Sequence, residues 1–181
     1  MLHFIILLYY IVIGVIGILW DISFLLTFSC WLFILQGFYF LSHYLFGNVL
    51  KKVLLNMIFA PSVYVVMYWF FPSDIPFMLN LCAHGLNVLL MIYIVYKYPV
   101  IGQFENNALN ILLPVIPCVI YLTFAIIYTY TTMSLIYPTN FFGFEEIQGK
   151  PSYAFQAIIL NAYGIAIIHT ISWYICSSVK Y

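Results

Sequence analysis

Long apolar runs broken by short polar or Pro/Gly clusters set the organisation of this chain. A bilayer-spanning helix needs about 20 predominantly apolar residues. The runs predict six of them: Leu2–Leu19, Leu26–Phe46, Val53–Phe71, Phe77–Tyr96, Leu109–Ile136 and Tyr153–Val179. The separators are Trp20–Leu25 around Asp21, Gly47–Lys52, Pro72–Pro76, Lys97–Ala108 and Tyr137–Ser152. Spans five and six exceed what a bilayer requires, so part of each tilts or projects. Pro114 and Pro117 fall near the start of span five, where missing N–H donors are tolerable. The first run lacks the basic n-region and small-residue cleavage site of a signal peptide, and is read as a retained span. No segment recurs, which counts against an inverted-repeat transporter. The expected fold class is therefore all-α: one polytopic six-span domain over residues 1–181.

Composition agrees with the pattern. The 181 residues are 66% hydrophobic and 6% charged, against about 45–50% and 25% in soluble domains. Five Lys balance five acidic residues and there is no Arg. Nucleic-acid binding, which needs a basic face, is excluded. Cys30, Cys82, Cys118 and Cys176 lie in apolar runs without a C-x-x-C pair, so neither a disulfide framework nor a zinc site is indicated. With six spans, Lys51, Lys52, Lys97 and Lys180 share one side and Lys150 stands on the other. The positive-inside rule then puts both termini in the cytoplasm, and Trp20, Trp69 and Tyr137 near the opposite interface.

Within a bilayer, strongly polar residues are costly and are functional candidates by default. Their ordinary role is interhelical hydrogen bonding or a bond back to their own helix. His84 lies roughly 10 Å inside the outer end of span four, and Thr27 and Ser29 within about 5 Å of the outer end of span two. Span five brings Tyr128, Tyr130, Thr131, Thr132 and Ser134 to the same half, and span six brings Gln156 and Asn161. The inner half holds His43, Asn56 and His169. A bis-His haem on His43 and His169 would lack any Arg for its propionates. Asp21, Asp74, Glu105, Glu145 and Glu146 all fall in loops, which leaves no intramembrane carboxylate for ion coupling. A hydroxyl beside an imidazole is the minimal unit of nucleophilic acyl transfer. In lipid its substrate would be an acyl ester.

Three segments, in order, resemble the androgen-induced gene family of six-span membrane proteins. They are Leu26-Thr27-Phe28-Ser29 running into Phe33-Ile34-Leu35-Gln36-Gly37-Phe38-Tyr39-Phe40, then Leu79-Asn80 followed by His84, and Tyr121 sixteen residues before Tyr137-Pro138. The resemblance implies an intramembrane hydrolase of fatty acid esters of hydroxy fatty acids, with a Thr nucleophile and a His base. It places the base at His84. The gapless register on Gln36 puts the nucleophile at Ser29, whereas matching Leu-Thr-Phe puts it at Thr27. The two lie about 200° apart on a helix and cannot both face His84. The family's second His is replaced by Leu81, and its following acidic residue is absent from Tyr93 to Val95.

The sequence thus predicts a hydrolase of membrane lipid esters in the endoplasmic reticulum or plasma membrane. Its catalytic candidates are Ser29, Thr27 and His84, with Asn87 to orient the imidazole and Thr131 and Thr132 to bind the oxyanion. No metal or cofactor is implied. The rival readings are a non-catalytic scaffold or regulator of the same fold and, with less support, a small transporter.

Overall fold

The structure, a computed structural model, describes residues 2–45, 48–66, 77–98, 101, 104–132 and 151–178. Among these residues it is all helix, without a strand. Helix α1 runs over Leu2–Trp20 and stops at Asp21, where a 3-10 turn, Ile22–Leu26, reverses the chain. The turn folds back against α1: a Cβ on Gly17 would meet the Phe24 ring at 2.6 Å, whereas one on Gly14 would meet nothing within 4 Å. Close approach therefore requires glycine at the first position only.

Thr27 ends the turn and caps the next helix. Its Oγ1 accepts the Cys30 N–H at 3.3 Å and donates to the Phe24 carbonyl at 2.8 Å, satisfying an otherwise orphan donor. Helix α2, Phe28–Leu45, consequently starts two residues after the predicted Leu26. Helix α3, Asn48–Val65, starts earlier than the predicted Val53 and takes in both lysines of the expected loop. Lysine is a good helix former whose long stem keeps its charge at a helix end. The Lys52 ammonium sits 4.5 Å over the Phe104 ring, a cation–π contact.

Helix α4, Phe77–Lys97, is one rod interrupted by a π-helical stretch over Leu81–Leu86. Helix α5 spans Asn107–Thr132. It begins two residues before the predicted Leu109, and Pro114 and Pro117 lie inside it. Each proline leaves a carbonyl one turn earlier without its N–H donor, those of Asn110 and Leu113. Helix α6, Pro151–Ser178, opens on proline at its first position, where the missing donor costs nothing.

Four of these helices are long and apolar enough to cross a membrane: His3–Trp20, Phe77–Lys97, Asn107–Thr132 and Ile158–Ser178. The apolar stretch Phe28–Ser42 in α2 is shorter. Ile11, Val15, Leu89, Ile120, Ile127 and Ile171 are exposed on the outside, while Gln36, Asn56, Ser62, Asn110 and His169 are buried inside. That distribution suits a hydrocarbon surrounding, in which polar groups must find their partners within the protein.

Helix α3 is the axis of the packing and contacts α2, α4, α5 and α6. One core joins α1 to α4 through Ile6, Tyr10, Phe33, Phe40, Ile58 and Met91. The other joins α2, α3, α5 and α6 through Phe28, Ala60, Tyr121, Ala125 and Ile165. Lys51 and Lys52 lie in the N-terminal part of α3, Lys97 at the C-terminal end of α4 and Thr27 at the start of α2. Trp69, Ser134, Tyr137, Pro138, Lys150 and Lys180 lie outside the described residues, as does the side chain of His43.

Candidate functional site

The interior of α1–α4 holds the sequence-predicted imidazole. His84 lies within the π-helical stretch and is 7% exposed, and its Nδ1 is buried without a hydrogen-bond partner among the described residues. The π turn has a local cause. The Tyr9 hydroxyl donates to the Cys82 carbonyl, and a side chain inserted into the helical ladder is a usual source of such an irregularity. His84, Asn87 and Met91 then form one buried stripe of α4.

Asn87 is held from α1 by the Tyr10 hydroxyl, which donates to its Oδ1 at 2.9 Å. Its carbonyl oxygen is thus already engaged, which counts against the imidazole-orienting role expected of it. A second buried polar pair joins α2 and α3. Gln36 Nε2 donates to Ser62 Oγ at 2.7 Å, and Ser62 in turn donates to the Ile58 carbonyl at 2.6 Å.

Adjacent tyrosines on α1 link it to α2 and α4. Tyr9 and Tyr10 reach Cys82 and Asn87 on α4. The Tyr10 ring lies 5.4 Å from Phe33 and 5.5 Å from Phe40 on α2. Tyr10 thus bridges Asn87 on α4 and the Phe33 and Phe40 rings of α2. Ser29 lies on the same inward stripe of α2 as Gln36 but seven residues nearer the Thr27 end, about 10 Å along the helix. The structure does not bring Ser29 to His84: among the described residues no hydrogen bond joins His84 to Ser29 or Thr27.

The other expected residues are likewise apart. Thr27 spends its hydroxyl proton on the Phe24 carbonyl as a cap. Thr131 and Thr132 are exposed at the end of α5 and donate back to Ile127 and Tyr128 at 2.8 Å each. Their protons are therefore committed to their own helix. Among the described residues no three His, Cys, Asp or Glu side chains come together, so none is placed to hold a metal ion.

Tyr10, Gln36, Ser62 and Thr129 were not singled out as site residues. Thr129 is 1% exposed, and its hydroxyl has no partner among the described residues. A helical stripe running from Asn110 through Cys118, Leu122 and Ala125 to Thr129 would have marked it as inward. Gln36 sits similarly on the Ser29–Phe33–Phe40 stripe. Comparison with family models, with curated proteins and with solved structures gives no match.

Proposed function

We propose that the protein is a six-span membrane protein with its Lys-rich end in the cytoplasm, and that it hydrolyses lipid esters using His84 as general base. All six rods would cross the bilayer, α2 as the one with a shorter apolar stretch and α3 as the least apolar, in the endoplasmic reticulum or plasma membrane. The observation that carries the reading is His84 itself. A buried imidazole with an unpartnered ring nitrogen is costly in a membrane interior, and intramembrane polar groups of this kind mark functional sites. Its placement on a π turn agrees, since such turns occur frequently at functional sites. The three-segment resemblance to the androgen-induced gene family points to the same residue.

In this reading Ser29 is the preferred hydroxyl, because it faces inward along the Gln36 stripe while Thr27 is occupied as a cap. His84 takes the hydroxyl proton as oxygen attacks the ester carbonyl, then delivers it to the departing alkoxide. Water completes the cycle through the same base and releases the fatty acid. For the pair to react, α2 or the π stretch of α4 must shift when a lipid enters, since no hydrogen bond joins Ser29 to His84 among the described residues.

That separation, with the caps and back-bonds that occupy Thr27, Thr131 and Thr132, favours a second reading: a non-catalytic scaffold of the same fold. Fluorophosphonate labelling of the full chain, beside Ser29→Ala, Thr27→Ala, Ser62→Ala and His84→Ala, separates the two. The hydrolase reading expects labelling that is lost in one hydroxyl variant and in the His84 variant. A folded wild type that does not label supports the scaffold.

A further inference from the structure

We infer that the end of the bundle where α1 and α3 begin and α4 stops is a seat for an anionic phospholipid headgroup, with Lys51, Lys52 and Lys97 supplying the charge. His3 brings these ends together. Its ring lies 6.3 Å from that of Tyr98, the residue after Lys97, and 6.1 Å from that of Phe40 on α2. The same imidazole feels the charge of Lys51. The Lys52 ammonium, 4.5 Å over the Phe104 ring, adds the segment between α4 and α5. The first turns of α1 and α3 and the last turn of α4 therefore form one end of the molecule.

That end lies at a membrane surface. His3 and Lys97 bound two of the helices long and apolar enough to cross, His3–Trp20 and Phe77–Lys97. Exposed Tyr96 and Tyr98 flank Lys97, as aromatic residues do where hydrocarbon gives way to headgroups. Few of the described carboxylates are at hand to balance the lysines. They are Asp21 and Glu105. Asp21 follows the far end of α1, about 27 Å from His3 along the helix. Glu105 is next to Phe104, so three ammonium groups share this end with one described carboxylate. Lys51 and Lys52 also stand at the positive end of the α3 dipole, which adds to their charge, whereas Lys97 is partly offset at the negative end of α4. An anionic leaflet complements that excess: it attracts lysines beside membrane spans, and its headgroups bind basic pockets between helices. A zwitterionic headgroup brings its own cation and does not. The seat requires this end to lie at the membrane surface and is indifferent to what His84 does.

The test is electron paramagnetic resonance of the full chain in vesicles of equal parts phosphatidylcholine and phosphatidylserine, doped with a spin-labelled form of either lipid. Both leaflets share one composition, so the direction of insertion does not matter. The fraction of label immobilised at the protein is expected to be larger for phosphatidylserine, and the difference should shrink as salt is raised. Lys51→Gln should lower the preference by up to about fivefold, the worth of one lysine at an anionic surface. Lys51→Arg, which keeps the charge, should retain it. Equal immobilisation of the two lipids by wild type would overturn the inference, as would a preference unmoved in a folded variant carrying both Lys51→Gln and Lys97→Gln. Displacement of the lipid by inorganic phosphate at constant ionic strength would overturn it in favour of a free anion. Equal immobilisation with salt-sensitive self-association would give the surface to the carboxylates of a second copy instead.

Discussion

The two flanks of α3 carry the same parts in different arrangements. Each has a tyrosine hydroxyl donating across helices to an asparagine, Tyr10 to Asn87 at 2.9 Å and Tyr64 to Asn161 at 2.6 Å. Each also buries a histidine, His84 at 7% exposure and His169 at 1%. Their surroundings differ. The His169 ring lies against the Asn110 carbonyl, without closing a hydrogen bond to it. That carbonyl is the one Pro114 deprives of its helical donor. His169 stands on a regular stretch of α6. His84 stands on a π-helical stretch of α4 whose Cys82 carbonyl accepts the Tyr9 hydroxyl. The two imidazoles are alike in burial and differ in the backbone around them, which is the ground on which the proposed hydrolase assigns its base to His84.

The largest expected contrast is catalytic. His84→Gln should lower hydrolysis of a lipid ester by about 10²–10⁴-fold, the usual contribution of a general base, whereas His169→Gln should leave the rate unchanged. An equal loss in both would make the two imidazoles equivalent and break the comparison. Next is Tyr9→Phe, which frees the Cys82 carbonyl. The π stretch should relax towards regular α-helix, turning His84, and fluorophosphonate labelling should fall about tenfold, a change worth one hydrogen bond to the site.

The tyrosine pairs sharpen the comparison further. Tyr10→Phe and Tyr64→Phe should each cost about 1 kcal/mol in a reversible unfolding assay in mixed micelles, in the range of interhelical hydrogen bonds in membranes. Only Tyr10→Phe should also reduce labelling, because only it releases Asn87 beside His84. The smallest effect is that of His169→Leu. It removes two unpartnered buried nitrogens along with the ring, and stability should stay within about 1 kcal/mol of wild type. A loss well above that would assign His169 a polar partner.

The helical layout was legible because bilayer-length apolar runs and their breakers are local signals. The boundaries moved where a side chain took part in the backbone pattern: Thr27 as a cap delays α2, and Lys51 and Lys52 join α3 because their stems reach outward. At the site, His84 was legible as an isolated imidazole inside an apolar helix. Gln36, Ser62 and Tyr10 were not, since their meaning depends on register between helices far apart in the chain. Thr131 and Thr132 drew attention as paired hydroxyls, but hydroxyl-to-backbone bonds within one turn, which any exposed helical threonine can make, occupy both.

The most direct test of the central claim, that His84 is the reactive imidazole of an intramembrane ester hydrolase, is a turnover measurement. The full chain would be reconstituted in phosphatidylcholine vesicles with a fatty acid ester of a hydroxy fatty acid, beside His84→Gln and His169→Gln. Release of fatty acid by wild type and His169→Gln, with none above background from a folded His84→Gln, is the predicted result. Release that persists in His84→Gln, or a folded wild type that releases none, would contradict the account.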